Sequence, residues 1–152
     1  MKCIRAGVIG AGTMGTQHAE VYNDLAMTEL VAIADTNLER ARVVASKMGS
    51  HVRCYDSYEK MLKDADPDAV SIAIPDHAHR GPVLAALDAG KHVLVEKPLA
   101  TTLAHCDEML KVARESKKIL MVNYTHRWAP PYAKAKELLD EGKMGNLIMA
   151  YA

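Results

Sequence analysis

Three glycines near the N-terminus, Gly10, Gly12 and Gly15, constrain the fold of this chain more than any other feature. A buried-strand pattern precedes them and a helical pattern follows. In this setting one glycine permits a tight strand-to-helix turn, a second lets the backbone approach a pyrophosphate, and a third lets the helix pack closely. The N-terminus of that helix, at Thr13 and Met14, stabilises an anion through unpaired N–H groups and the helix dipole. The pattern predicts a dinucleotide site.

An acidic residue follows at the spacing that such a site requires. Asp35 ends the next apolar run, 20 residues after the last of these glycines, and Thr36 comes directly after it. A carboxylate there accepts hydrogen bonds from the adenosine ribose and repels the 2′-phosphate of NADP, so NAD is favoured. One alternative is that Asp35 only caps the following helix. Another is that NADP binds through Arg40 and Arg42 if Asp35 swings away.

Composition excludes several classes of protein. The 152 residues suit one domain, and 19 basic against 19 acidic side chains leave no net charge to attract nucleic acid or an anionic membrane. Three cysteines without C-x-x-C spacing argue against a disulfide framework or a structural zinc site, which favours a reducing cytoplasm. We see no leader-like segment and no bilayer-spanning run. A cytoplasmic protein that acts on small molecules is expected.

Strand and helix patterns alternate along the chain, which predicts an α/β fold. We expect a Rossmann-type doubly wound parallel sheet in three α/β/α layers over residues 1–122. Its six strands are expected at residues 4–9, 30–34, 52–55, 69–74, 92–95 and 119–122. The inward side chains of the first and fifth helices are expected to be Met14, Val21, Tyr22 and Leu25, and Leu103, Cys106, Leu110 and Ala113.

The last thirty residues have a different character. A Pro-Pro break follows the sixth strand pattern, then a helix pattern that ends at Gly142, and then an apolar run from Asn146 to Ala152. We interpret residues 123–152 as a hinge, a crossover helix and the first strand of a truncated substrate domain. If Leu147, Ile148 and Met149 form an exposed strand edge, a homo-oligomer that pairs through it is expected.

Three blocks together carry a family resemblance. They are the glycine turn, the sequence Gly-Lys-His-Val-Leu-Val-Glu-Lys-Pro-Leu-Ala from Gly90 to Ala100, and Tyr-Thr-His-Arg-Trp from Tyr124 to Trp128. With them the chain resembles the Gfo/Idh/MocA family, named after glucose-fructose oxidoreductase and inositol dehydrogenase. The resemblance implies an NAD(P)-dependent dehydrogenase of sugars, cyclitols or related polyols. It also implies a C-terminal α/β substrate domain, which these residues do not contain.

The resemblance assigns roles to individual residues. Lys97 is implied to be catalytic, beside the nicotinamide and the substrate hydroxyl, and Glu96 joins it among the cofactor contacts. The loop from Pro75 to His79 is implied to lie against the dinucleotide and to cap the next helix. An H-x-H pair, His77 and His79, lacks a third ligand at metal spacing, so no metal is expected. The alternative for Lys97 is a solvated strand end that pairs with Glu96 on the surface.

Arg127 and Trp128 follow the sixth strand, where the family places residues of the nicotinamide and substrate pocket. An arginine can hold a substrate oxygen and an indole can exclude water. The alternative is a cation-π pair at the hinge. Two other histidines, His18 and His126, are expected to be packed or surface residues. We also considered a cis Lys97–Pro98 bond.

The acid-base groups of the family, commonly an Asp and a His of the substrate domain, would lie beyond Ala152. We therefore expect this chain to be part of a longer enzyme and to be inactive by itself. The alternative is a stand-alone NAD-binding module, a sensor or regulator, without turnover. Residues encoded immediately after Ala152 discriminate between these two functions.

Overall fold

The computed structural model describes residues 3–149. Its strands are β1 (Ile4–Ile9), β2 (Thr28–Ala34), β3 (Arg53–Tyr55), β4 (Ala69–Ile72), β5 (His92–Glu96) and β6 (Leu120–Asn123). Its helices are α1 (Thr13–Asp24), α2 (Leu38–Met48), α3 (Tyr58–Asp64), α4 (Arg80–Asp88), α5 (Leu103–Ser116), α6 (Thr125–Trp128) and α7 (Pro130–Asp140). The six strands form one parallel sheet in the order β3-β2-β1-β4-β5-β6. The predicted doubly wound α/β fold is confirmed.

Helices cover both faces of the sheet, because consecutive strands are parallel and each needs a crossover. On one face, α1 and α2 enclose a core that includes Val8, Leu30 and Ile33. On the other face, α3, α4 and α5 pack over a core that includes Ile72 and Val95. The result is the expected three-layer arrangement, in which the carboxyl ends of all strands meet at one edge.

Side-chain caps fix where three of the helices begin. Asn37, Ser57 and Thr102 each accept a hydrogen bond from the backbone N–H three residues later, at the starts of α2, α3 and α5. This corrects the alternative that Asp35 caps α2, because Asn37 does so. Helix α1, which follows Gly12, has no side-chain cap.

The inward faces of two helices differ from expectation. In α1 the buried residues are Gly15, His18 and Ala19, whereas Val21 and Leu25 are exposed. The reason is that small residues let α1 lie close to the sheet, whereas Val21 lines an open hollow together with Leu94 of β5.

A similar shift occurs in α5. Met109 and Ala113 face the core, Leu103 is 83% exposed, Leu110 is exposed and Cys106 is only partly buried. Two apolar stripes run along this helix, and the sheet covers the stripe that contains Met109, so the predicted face was wrong except for Ala113.

The segment beyond β6 also departs from expectation. Helix α7 forms, but none of its residues is buried. Residues 146–149 of the predicted final strand are not in a strand, and residues 150–152 lie outside the described part of the chain. A strand needs a partner to satisfy its backbone, and none of the described residues provides one here.

Candidate functional site

A long cleft runs along the carboxyl ends of the strands. Its larger part, of about 840 Å³, lies between the glycine turn, the end of β2 and the start of α4. A second hollow of about 430 Å³ continues it toward the end of β5. Gly12, Ala73 and Ile74 line both parts, so the two hollows adjoin at the glycine turn. Asp35 and Thr36 lie at one end, and Lys97 lies at the other.

The three glycines have three different structural roles. Gly10 has φ +99°, and a Cβ on it would lie 2.2 Å from the carbonyl oxygen of Ala73. A Cβ on Gly15 would lie 1.7 Å from the carbonyl oxygen of Gly10, so close packing of α1 requires glycine there. A Cβ on Gly12 would meet nothing within 4 Å. Gly12 therefore leaves open space on the cleft side, as expected for close approach of a ligand.

The N-terminus of α1 faces this open space. Thr13 and Met14, in its first turn, line the hollow near Lys97. No side chain caps this helix, and no acidic residue lies in its first turn. Its N–H groups and the positive end of its dipole suit a phosphate group.

Asp35 holds the backbone at the far end of the cleft. One carboxylate oxygen, Oδ2, accepts from the N–H of Ala11, and the other, Oδ1, accepts from the N–H of Asn37, both at 2.8 Å. The side chain is 8% exposed. Because each carboxylate oxygen has two lone pairs, Asp35 can still accept bonds from a ligand. The two backbone contacts oppose the movement that the NADP alternative requires.

Two arginines follow Asp35 on α2, but they are not equivalent. Arg40 lines the cleft and places Nη1 3.7 Å from Oδ2 of Asp35. The guanidinium of Arg42 pairs instead with Glu39. Arg40 is therefore the cation at the rim that can meet a ligand phosphate.

The start of α3 forms the opposite wall, which the sequence reasoning missed. Asp56, Ser57, Tyr58 and Glu59 line the cleft there. Burial raises the pKa of Tyr58, with Glu59 adding to the effect, so its hydroxyl remains a hydrogen-bond donor. A hydrogen bond from Lys60 lowers the pKa of Asp56, which stays ionised. An Asp-Ser pair after a short strand predicts only a turn and a helix cap, so no signal in the sequence identifies this wall.

Lys97 and Glu96 are neighbours in the sequence, but their side chains have different surroundings. Lys97 is exposed and lines the hollow near the N-terminus of α1. Glu96 is buried, and its Oε1 contacts His18 and Asn123. The surface ion pair between Glu96 and Lys97 is therefore wrong. The Lys97–Pro98 bond is cis, as considered from the sequence.

Two of the five residues in the loop before α4, from Pro75 to His79, line the cleft. They are Pro75 and Ala78. His79 is fully buried, with Nδ1 2.9 Å from the carbonyl oxygen of Pro98 and Nε2 3.0 Å from that of Ile74. The loop ends at His79, which is the N-cap residue of α4, although its side chain makes no cap hydrogen bond. His79 instead connects this loop to the turn after Lys97.

The segment after β6 contributes Thr125, which the sequence reasoning did not single out. Thr125 lines the hollow with Lys97. Arg127 and Trp128 are exposed, with the guanidinium carbon 5.9 Å from the indole centroid, so the cation-π alternative is found in the structure. His18 is packed, as expected, and His126 is exposed beside Tyr132.

Two kinds of feature are absent from residues 3–149. No cluster of three or more His, Cys, Asp or Glu side chains is arranged to hold a metal ion. No helix in this part of the chain has the length and apolar character needed to cross a membrane.

Comparison with known proteins decides the family. Residues 4–124 match the GFO_IDH_MocA family, described as an oxidoreductase family with an NAD-binding Rossmann fold. The chain belongs to this family. The Gfo/Idh/MocA glycine turn, the Glu-Lys-Pro block and the cleft between them thus lie in an NAD-binding Rossmann domain.

Individual Gfo/Idh/MocA relatives are similar to this chain in sequence and in fold. The chain is 35% identical to inositol 2-dehydrogenase 1 of Saccharopolyspora erythraea over 97% of its own length and 44% of the relative's. A structure of scyllo-inositol dehydrogenase from Lactobacillus casei, with bound NAD(H) and scyllo-inositol, superposes with a TM-score of 0.88 at 27% identity and covers 95% of this chain and 43% of that one. A structure of a 3-ketoreductase from Actinomadura kijaniata, in complex with TDP-benzene and NADP, superposes with a TM-score of 0.87 at 32% identity. The match covers 96% of this chain and 46% of that one.

The chain therefore spans less than half the length of these relatives. Their names describe dehydrogenases and a reductase, so the comparisons do not support a stand-alone Gfo/Idh/MocA module without turnover.

Proposed function

We propose that this domain is the cofactor-binding part of an NAD-dependent dehydrogenase that oxidises a secondary alcohol of a cyclitol, sugar or related polyol. The observation that carries the proposal is the cleft made of two adjoining hollows, with Asp35 at one end and Lys97 at the other. The match to the oxidoreductase family and the cyclitol named for a similar structure support the reaction and the substrate class.

The residues present fit a dinucleotide along this cleft. The adenosine would lie between Asp35, Thr36 and the start of α3, and the pyrophosphate would lie over Gly12 at the N-terminus of α1. Pro75 would lie beside the bound dinucleotide. The nicotinamide end would then reach Met14, Glu96 and Lys97.

Binding of NAD in preference to NADP follows from Asp35. Its carboxylate is held in place by Ala11 and Asn37, so a 2′-phosphate would meet a fixed negative charge. Arg40 lies close enough to reduce this repulsion, and a similar structure holds NADP. NADP is therefore a second, weaker ligand in this proposal.

Lys97 is the proposed catalytic residue of the chain. Oxidation of the alcohol transfers a hydride from its carbon and releases the hydroxyl proton; the nicotinamide, when bound, accepts the hydride. The ammonium of Lys97 donates a hydrogen bond to the hydroxyl oxygen and orients the alcohol. Arg127 and Trp128 are proposed to border the substrate, together with Thr125. The proton acceptor is proposed to belong to residues beyond this chain, so the chain alone is proposed to bind NAD without turnover.

The test compares the natural enzyme that carries these residues with its Lys97→Met variant. With NAD and a panel of inositols, the wild type should form NADH, and the variant should lose about 100-fold or more in kcat while it still binds NADH. Lys118→Met serves as the control, because Lys118 lies at the opposite end of β6 and should leave kcat unchanged. Failure of the wild type with every polyol, or unchanged kcat in Lys97→Met, would contradict the proposal.

Two further properties belong to the proposal. A cytoplasmic location fits the cysteines, which are free thiols. A homo-oligomer fits the exposed apolar segment, in which Leu147, Ile148 and Met149 are 62%, 96% and 81% exposed. Sedimentation velocity should show mass that rises with concentration, whereas a monomer at all concentrations would count against self-association.

A further inference from the structure

A buried polar cluster lies directly behind Lys97. Its centre is Oε1 of Glu96, which accepts a hydrogen bond from Nδ2 of Asn123 at 2.7 Å and lies 3.1 Å from Nε2 of His18. Glu96 and His18 are 8% and 9% exposed. A buried carboxylate is stable only where polar partners satisfy it; here Asn123 donates to Glu96, and the His18 ring lies within hydrogen-bond distance.

The cluster connects three elements that form the site. His18 belongs to α1, whose N-terminus faces the cleft. Glu96 ends β5 and is the register partner of Asn123, which ends β6. Thr125, two residues beyond Asn123, lines the hollow with Lys97. The cluster therefore links the start of the dinucleotide helix to both strand ends at the nicotinamide end of the cleft.

This cluster has an energetic cost that packing does not explain. Nδ1 of His18 is buried and has no hydrogen-bond partner among residues 3–149. An unsatisfied buried polar atom destabilises a fold, and an apolar side chain of similar volume would avoid this. A function for the His18–Glu96 contact accounts for the presence of histidine here.

We propose that His18 and Asn123 are positioning residues that hold Glu96 and thereby aim Lys97. This inference rests on the proposed role of Lys97. The Lys97 side chain is long and exposed, so its own packing does not fix its direction. Lys97 follows Glu96 directly in the chain, and both residues line the hollow. Anchoring Glu96 toward α1 therefore fixes the backbone from which Lys97 extends into the hollow.

The test observes Lys97 directly and does not require turnover. Lysines of the 152-residue chain are labelled by reductive methylation with ¹³C-formaldehyde, and the Lys97 NMR signal is assigned by its loss in Lys97→Arg. The variants His18→Gln and Glu96→Gln remove the contact from each side with little change in shape. His51→Gln, an exposed histidine far from the site, is the matched control. Circular dichroism checks that each variant is folded, and NADH titration follows cofactor binding.

We expect the Lys97 signal to move toward the shifts of the exposed lysines in both variants and to stay in place in His51→Gln. NADH affinity should fall about tenfold, and the double variant should resemble a single one because both act through one contact. If Glu96→Gln does not fold, Asn123→Ser, at a less buried position, should give the same displacement. An unmoved Lys97 signal in folded His18→Gln and Asn123→Ser, or an equal movement in His51→Gln, would overturn the inference. Failure of the wild type to bind NADH would contradict the proposed function instead, and the Lys97 signal would still decide the positioning role.

Discussion

The backbone N–H of Ala11 donates a hydrogen bond of 2.8 Å to the carboxylate of Asp35, across the carboxyl ends of β1 and β2. The same carboxylate accepts from Asn37, the residue that caps α2. Asp35 thus joins the glycine turn to the start of the next helix.

Replacement of Asp35 by alanine should therefore lower stability as well as affinity. Two backbone N–H groups lose their acceptor, and we expect a loss of about 1–3 kcal/mol in the free energy of unfolding. Urea unfolding measures it. Arg40→Ala, which removes an exposed neighbour, should change this free energy by less than about 0.5 kcal/mol. Equal stability of Asp35→Ala and the wild type would contradict the structural role.

The glycine turn provides a pair of variants that separate folding from binding. Gly15→Ala forces a Cβ against the carbonyl of Gly10 and should destabilise the chain by at least about 1–3 kcal/mol. Gly12→Ser should leave stability unchanged or raise it, because serine is a favoured N-cap and nothing lies within 4 Å of its Cβ. Its side chain would enter the cleft, so NADH binding should weaken. Thermal unfolding and NADH titration of both variants check this, and normal NADH affinity in Gly12→Ser would count against the assigned path of the pyrophosphate.

A buried hydroxyl pair tests the packing of α1 on the sheet. The hydroxyl of Tyr22 lies 2.6 Å from Oγ of Ser71, which is fully buried in β4. Tyr22→Phe leaves the Ser71 hydroxyl without this partner and should cost about 1–3 kcal/mol of stability. The double variant with Ser71→Ala should recover part of that loss, because both polar groups are then gone. Additive losses in urea unfolding would show that the two hydroxyls do not interact.

An ion pair between α4 and α5 should make stability depend on pH. Arg80 donates two hydrogen bonds to Glu108, at 2.6 and 2.5 Å. The bond from Arg80 lowers the pKa of the Glu108 carboxyl. The contribution is therefore complete above the ordinary pKa of glutamate, about 4.3, and is lost as the pH falls through the lowered value.

The melting temperature of wild type should exceed that of Glu108→Gln at neutral pH, and the difference should shrink in acid and in high salt. Because both side chains are exposed, the difference should be small. A difference that stays constant down to acid pH would show that the pair does not stabilise the fold.

The sequence predicted the fold well because local rules dominate it. Alternating apolar runs and helix patterns specify a parallel sheet, and right-handed crossovers leave few possible strand orders. The glycine turn was equally readable, since backbone geometry at Gly10 and Gly15 tolerates no side chain. The buried faces of α1 and α5 were harder to predict, because each helix has more than one apolar stripe and only packing determines which one is buried.

The site was only partly predictable for a related reason. Lys97 and Asp35 lie at strand ends, where a sequence pattern can place them. His79 shares its loop with cleft-lining residues, yet its ring turns toward the carbonyl groups of Ile74 and Pro98, and no sequence pattern reveals this. The contact between His18 and Glu96 joins residues 78 positions apart, so it requires the assembled sheet.

Calorimetric titration of the chain with NADH and with NADPH measures the dinucleotide site by itself, because it requires neither a substrate nor the rest of the relatives' length. The wild type should bind NADH more tightly than NADPH. Asp35→Ala should weaken NADH binding. It should also reduce the difference in affinity between NADH and NADPH, since the fixed charge that opposes the 2′-phosphate is gone while Arg40 remains. No binding of NADH, or equal affinity of the wild type for the two cofactors, would contradict the account.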